Sequence, residues 1–287
     1  MKMDEAVIVI DKTVGPSSFD IVREVRRHVK IKKVGHAGTL DPFATGVLVL
    51  LTGRATKLSN ALLNADKRYE ALIKLGEATD SMDCTGAVVE NLPVPELTPA
   101  TVSAVLKSFE GEWNQIPPMY SAKKIQGVRL YELARKNITV KRESIPVQLF
   151  EVKLISLEKG SIRFEVHCSK GTYIRSLGDE IARRLGTVGH LTELRRLSCG
   201  GFSINESLTV ESLVSGGSDW QAAGYRNYVR LLSSEGLVRR AAQNSRGLEN
   251  DTDMPQGSLI QGLNRENTIP VSTHLPRRIN SDNHLLN

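Results

Sequence analysis

Residues 35–46 read Gly35-His36-Ala37-Gly38-Thr39-Leu40-Asp41-Pro42-Phe43-Ala44-Thr45-Gly46, with three glycines and one proline in twelve positions. That density rules out a regular helix and demands a shaped loop. The loop runs directly into Val47-Leu48-Val49-Leu50-Leu51, an uninterrupted apolar run that predicts a buried strand. The fold must therefore set a tightly specified loop on the end of a core strand. Inside that loop stand one imidazole, His36, and one carboxylate, Asp41. Loops held by a rigid scaffold are where binding and catalytic groups are positioned. An aspartate before a proline is also a common turn opener, so spacing alone leaves both readings open.

The flanking sequence supplies the scaffold. Ala6 to Ile10 is a short β-branched run, closed by Asp11-Lys12. Ser17 or Ser18 caps a helix over about residues 19–28, with Ile21, Val22, Val25 and Val29 at helical spacing. Arg23, Arg26, Arg27 and Lys30 then face solvent, an ordinary charged face; with Lys32 and Lys33 they also form a basic cluster suited to phosphate contacts. Residues 54–63 predict a helix, and 68–76 alternate as a strand. Asp80 to Gly86 is a polar turn whose acids lack the length and glutamate of a calcium loop, so no metal is expected there. Thr98 caps an amphipathic helix reaching Phe109. Ile116 to Lys124 carries two prolines and must be extended, leading into a helix over 128–136. Residues 145–157 and 161–168 alternate as a hairpin turning at Lys159-Gly160. Ser169 to Leu177 is a strand-to-helix junction opening a helix over 177–185, and 191–197 is a further short element. Strand and helix periods switch without a regular βαβ repeat, which predicts an α+β fold.

A chain of 287 residues suggests one large domain plus a small appendage. The net charge of +6 favours an anionic partner, though only mildly. Cys84, Cys168 and Cys199 are odd in number and far apart, fitting neither a disulfide framework nor a zinc site. The opening MKMDEAVIVIDK has acids before a short apolar run, unlike a signal peptide, and no apolar stretch is long enough to span a bilayer. A soluble, cytoplasmic protein is expected.

The segment GHAGTLDPFATGVLVLLTGRATK resembles the catalytic motif of the TruB family, the tRNA pseudouridine synthases acting on uridine 55 of the T loop. The resemblance continues through KRYEALIKLGEATDSMDCTG, IPPMYSAKKIQGVRLYELAR, CSKGTYIRSLGDEIARRLG and LRRL, in the family's order, from about Val9 to about Leu213. It implies a catalytic domain over 1–213, with a mixed, mostly antiparallel sheet, flanking helices and an RNA-clamping insertion at about 112–145. Residues 214–287 would be a linker around Ser215-Gly216-Gly217-Ser218 and a small C-terminal domain. TruB-type enzymes usually carry a PUA-type β domain there; residues 257–264 and 268–271 are its two weak strand candidates, and the end is expected to fray.

By that resemblance Asp41 is the nucleophile and Arg175 its ion-pair partner. Tyr69 would stack on the target base, with Tyr173 and Leu194 lining its pocket, and His36 would hold the extruded nucleotide. Chemistry agrees. Isomerisation needs no redox step, cofactor or metal, and a carboxylate suffices to attack C1′ of the ribose or C6 of the base. Burial would neutralise an aspartate, and a neighbouring guanidinium is expected to reverse this. Tyr69 is the named candidate for accepting the C5 proton. Lys67, Arg68, Lys123, Lys124 and Arg129 are candidate RNA contacts, the last three interleaved with Tyr120 and Tyr131. The partner is tRNA through its T-stem loop, and a monomer is expected. An RNA-binding or tRNA-folding protein without essential catalysis is the alternative. A Ser/His/Asp hydrolase lacks its G-x-S-x-G elbow, and a phosphate-binding P-loop lacks its Lys-Ser/Thr ending.

Overall fold

The computed structural model describes residues 5–125, 127–136, 138–216 and 219–248. In chain order these form β1 (Val7–Lys12), α1 (Ser18–Val29), β2 (Val34–His36), β3 (Thr45–Thr52), a 3-10 turn (Gly53–Leu58), α2 (Ser59–Asn64), β4 (Lys67–Leu75), β5 (Glu77–Thr79) and β6 (Val88–Asn91). There follow α3 (Pro99–Lys107), β7 (Gly111–Gln115), β8 (Lys124–Ile125), β9 (Val128–Arg129), α4 (Leu130–Ala134), β10 (Ile145–Glu158) and β11 (Ser161–Cys168). The last are α5 (Ile174–Arg184), β12 (Gly189–Cys199), β13 (Phe202–Ser203), α6 (Val210–Val214) and α7 (Trp220–Leu248).

The main sheet has the order β1-β3-β12-β4-β11-β10-β7, with β2 beside β3 and β13 beside β12. All its pairs are antiparallel except β3 with β12. The expected mixed, mostly antiparallel α+β sheet with flanking helices is what forms. β3 is buried on both faces, which explains why it reads as a continuous apolar run rather than an alternating one. Leu48 and Leu50 join the larger core with Ile21 and Val25 of α1, Leu106 of α3, Leu177 of α5 and Leu213 of α6. Val47, Val49 and Leu51 turn to the other face, against Leu58, Leu62 and Leu231.

α1 starts where its cap predicts: Asp20 N–H donates to Ser17 Oγ at 3.2 Å and Ser17 N–H returns to Asp20 Oδ2 at 3.0 Å. Several expectations need correcting. Residues 191–197 are part of an eleven-residue strand inside the sheet, where a bulge between Leu191 and Glu193 lets both Leu191 and Leu194 join the same core despite their odd spacing. The helix expected from Leu177 begins at Ile174, so Arg175 sits in its first turn. Residues 111–115 belong to the sheet edge, which narrows the insertion to the stretch between β7 and β10. Within it the expected helix over 128–136 is a short strand followed by α4.

The chain divides into two compact units, residues 1–240 and 241–287. The first therefore extends past Leu213: α6 is buried through Val210 and Leu213, and Asn227 Nδ2 of α7 donates to the Val7 carbonyl at 3.3 Å. In the second, residues 241–248 are helical; the strand candidates at 257–264 and 268–271 lie outside the described residues. Among the described residues no helix is long and apolar enough to cross a membrane.

Candidate active site

The loop from His36 to Thr45 is held at almost every turn. Ser18 Oγ accepts from Leu40 N–H at 2.8 Å and donates to the Leu40 carbonyl at 3.2 Å. Gly15 N–H donates to the Pro42 carbonyl at 2.8 Å. Lys12, fully buried, donates from Nζ to the carbonyls of Pro42 at 3.2 Å and Ala44 at 2.7 Å. Burial lowers its pKa to about 8 against the pull of Asp41, and Arg196 lowers it further. From β12, buried Arg196 donates to the carbonyls of Val47 at 2.6 Å and Gly38 at 3.1 Å. Gly46, at φ +98°, lies so close to Arg196 that a Cβ would sit 2.2 Å from its carbonyl oxygen. Glycine is the residue this crossing admits.

This scaffold presents Asp41 to Arg175. The guanidinium donates Nε to Oδ2 at 2.9 Å and Nη2 to Oδ1 at 3.3 Å, a fork on a carboxylate. Its other donors are also occupied: Nη1 reaches the Ser81 carbonyl and Nη2 the Tyr120 carbonyl, each at 2.8 Å. On its far side Asp83 Oδ2 lies 3.5 Å from Nη1, and both side chains are almost wholly buried. Asp83 is fixed by Ser81 Oγ at 2.8 Å and Thr85 N–H at 2.9 Å, both donating to Oδ1. One guanidinium thus serves two carboxylates.

About a third of the Asp41 side chain stays open to solvent, enough for a substrate atom to reach it. Its pKa is nevertheless raised above the ordinary carboxylate value. Burial is the largest cause, Arg175 and Lys12 oppose it, and the like charge of Asp83 reinforces it. The guanidinium moderates the shift rather than reversing it, contrary to the sequence-based expectation.

Tyr69 and Leu194 belong to the same core cluster as Leu40 and Phe43 of this loop. The Tyr69 phenol is pushed up to about 12 by burial, with the Arg196 guanidinium its strongest opposing influence. Tyr173 is half-buried at the N-cap of α5, where its N–H donates to Gln115 Oε1 at 2.8 Å. Arg175, two residues on, lies in the first turn of that helix. His36 is half-buried, its pKa lowered by burial and by Arg196, and Nδ1 has no partner among the described residues. A 270 Å³ cavity borders the loop between Phe43, Thr45, Leu194 and Arg195; the described residues lining it do not include Asp41, Tyr69 or Arg175.

The basic candidates divide. Lys67 is buried and spends its ammonium on the carbonyls of Leu62, Leu63 and Ala65 at the end of α2, so it is unavailable to RNA. Arg68 bridges Glu151 and Glu165 at 3.0 Å each. Lys124 and Arg129 are exposed on the insertion and Lys123 is half-buried there. The Tyr131 ring lies under Arg129 and Arg135, 5.8 and 5.5 Å from its centroid. Met119, Leu130 and Ala134 give the insertion a small core of its own. All three cysteines are free.

Sequence reasoning missed Lys12, Asp83, Arg196 and Gln115. The hydroxyls flanking Asp83, at Ser81 and Thr85, were a readable signal of a carboxylate held by its own turn. Nothing local marked Arg196, whose role depends on the β3–β12 crossing.

Residues 26–174 match the family described as TruB family pseudouridylate synthase (N terminal domain). A tRNA pseudouridine synthase B of Hydrogenovibrio crunogenus is 47% identical over 209 residues, covering 73% of this chain and 69% of the relative. One of Chlamydia muridarum is 45% identical over 236 residues, covering 82% and 94%. Among solved structures, a chain from a Cbf5-Nop10-Gar1 complex matches with TM-score 0.60 and 30% identity; the match covers 80% of this chain and 59% of that one.

Proposed function

The chain belongs to the TruB family of pseudouridylate synthases, an isomerase family, and on that premise we propose that it converts uridine to pseudouridine in tRNA, at position 55 of the T loop. The observation that carries this reading is the Asp41–Arg175 fork, set on a hydrogen-bonded loop whose Leu40 and Phe43 belong to the same core as Tyr69 and Leu194.

In the proposed reaction the target uridine is extruded from its stack, at a cost of a few kcal/mol, and His36 contacts the strand it leaves. The neutral ring of His36, with an unpartnered Nδ1, suits hydrogen bonding rather than charge pairing. Tyr69 stacks on the base, with Tyr173 and Leu194 closing the pocket. The Asp41 carboxylate adds at C1′ or C6, the N1–C1′ bond breaks and the base turns; C5 bonds to C1′ and the bond to Asp41 breaks, which frees the carboxylate again. C5 then loses its proton and N1 ends protonated, so no atom is gained or lost. With its phenol held protonated near neutral pH, Tyr69 acts as a relay, accepting the C5 proton as it passes its own to solvent, from which N1 is protonated. The balance requires neither redox cofactor nor metal.

The insertion between β7 and β10 supplies RNA contacts through Lys123, Lys124 and Arg129. The protein acts as a cytoplasmic monomer on the T-stem loop.

The test is incubation of the protein and of Asp41→Asn with unmodified tRNA transcript, mapping pseudouridine by carbodiimide-stop sequencing. Modification confined to the T loop and lost in the variant is expected. Tight binding without any pseudouridine from the wild type would overturn the enzymatic reading in favour of an RNA-binding protein.

A further inference from the structure

Positive charge is concentrated in two places. Residues 19–34 carry six Lys and Arg against two acids, and residues 116–144 carry seven against two. The rest of the chain carries 25 against 28, so these two segments supply the whole positive excess. The second is the insertion. The first is α1 with the turn that follows it.

Packing forces these cations outward. Ile21, Val22 and Val25 face the core, which leaves Arg23, Arg26 and Arg27 on the opposite face, and Lys30, Lys32 and Lys33 continue beyond the helix end. All six are exposed. Among the described ion pairs this patch contributes one, Arg23 with Asp20. A solvated helix face usually mixes signs so that its charges neutralise each other. Here five cations stand without such a partner among the described residues.

The patch is tied to the catalytic loop at both ends of α1. At the first turn Ser18 exchanges two hydrogen bonds with Leu40, the neighbour of Asp41. At the last, the chain leads through Lys33 into β2, and the Lys33 carbonyl accepts from Gly53 N–H at 2.9 Å. A twelve-residue helix is about 18 Å long, so a polyanion threaded through the Asp41 site has room for several phosphates along it. The insertion reaches the same centre separately, because the Tyr120 carbonyl accepts from the guanidinium that holds Asp41.

We propose that the outer face of α1 and its following turn are a second RNA-backbone surface, separate from the insertion, that binds phosphates of the stem continuing from the loop in the active site. It rests on the reading that tRNA enters the Asp41 site. Its energy is electrostatic and independent of sequence, so its mark is the salt dependence of binding: with every phosphate left unneutralised, the plot of log K against log salt becomes shallower by about 0.7–0.9.

The experiment compares the wild type with a triple variant, Arg26→Gln, Arg27→Gln and Lys33→Gln, binding full-length tRNA transcript over a series of KCl concentrations. A control triple, Lys107→Gln, Lys153→Gln and Lys159→Gln, removes the same charge from exposed positions outside both segments. Circular dichroism melts verify that all three proteins fold. The expected result is a slope about 2 shallower and at least a ~10-fold affinity loss at low salt for the α1 variant, with the control close to wild type. An α1 variant that matches the control in slope and affinity would overturn the proposal. Pseudouridine formation by the wild type on the same transcript is scored in parallel. Its failure sinks the enzymatic reading, whereas an active wild type with matched variants sinks only the α1 surface.

Discussion

Arg175 meets Asp41 with two nitrogens, Nε on Oδ2 at 2.9 Å and Nη2 on Oδ1 at 3.3 Å, from a side chain 4% exposed. A lysine can supply the charge but not the planar fork. Arg175→Lys also leaves the Ser81 and Tyr120 carbonyls short of a donor. Pseudouridine formation under single-turnover conditions is expected to fall by roughly 100-fold or more, the scale for removing an electrostatic interaction at a reacting group. A Lys variant within a few-fold of wild type would show that charge alone suffices.

Asp83 lies behind that guanidinium, and its charge is one of the influences raising the Asp41 pKa. Asp41 must be ionised to attack, so the rate falls as pH drops through its raised value, and the acid limb lies above the ordinary carboxylate range. Asp83→Asn removes a like charge, which lowers the Asp41 pKa and moves that limb to lower pH. The variant should also melt earlier, since it takes a charged partner from a buried arginine. A pH–rate profile of kcat decides it: a limb that stays in place or moves up contradicts the electrostatic account.

Much of this was legible in the sequence. The glycine-rich loop, the apolar run of β3, the Ser17 cap and the β10–β11 hairpin each rest on local spacing, and each forms close to where expected. The errors have one physical origin, which is tertiary contact. Residues 191–197 carry two arginines and read only as a further short element, yet they form part of a sheet strand in which Arg196 is buried and donates to the carbonyls of Val47 and Gly38. Lys67 looks like an RNA contact in the KRY motif, yet it closes the end of α2. The α7 helix went unread because its apolar residues do not hold a steady helical stripe, although Leu231 finds a place in the core. In the site itself, Asp41 and Arg175 were named from their motifs, while Asp83 and Lys12 depend on partners 92 and 30 residues away and left only faint local marks.

Tyr69 combines a buried ring with a hydroxyl whose pKa is pushed up to about 12. The two parts are separable. Tyr69→Phe keeps the stacking surface, so RNA affinity is expected to stay within about 3-fold of wild type. Isomerisation should fall about 100-fold if the hydroxyl relays the C5 proton. Tyr69→Ala should lose affinity as well, by about 1–3 kcal/mol. A Phe variant with the wild-type rate would move proton acceptance to another group.

Lys12 holds the catalytic loop by charge-assisted hydrogen bonds to Pro42 and Ala44, at a pKa lowered to about 8. The ammonium form prevails below that value; as pH rises through it the amine loses its charge and one donor, and the loop loosens. An alkaline limb near pH 8 is therefore expected in the wild-type kcat profile. Lys12→Met should be slower at neutral pH, by roughly 10-fold given about 1.5–3 kcal/mol for a hydrogen bond to a charged group offset by relief of burial. It should also lack that limb. A limb that persists unchanged in Lys12→Met would assign it to a different group.

Gly46 and Arg196 face each other where β3 and β12 run parallel, and this crossing fixes the far end of the catalytic loop. Gly46→Ala places a methyl group 2.2 Å from the Arg196 carbonyl oxygen and asks alanine to hold φ +98°. Neither strain has a cheap escape, because the obstacle is backbone at the centre of the sheet. Gly15 also has a positive φ, yet nothing lies within 4 Å of its Cβ position, so Gly15→Ala meets only the conformational cost. Urea denaturation should show Gly46→Ala less stable by about 4 kcal/mol or more, in the range of severe core lesions, and Gly15→Ala by about 1–2 kcal/mol. If the two cost the same, backbone conformation rather than the close approach of the strands sets the demand for glycine at position 46.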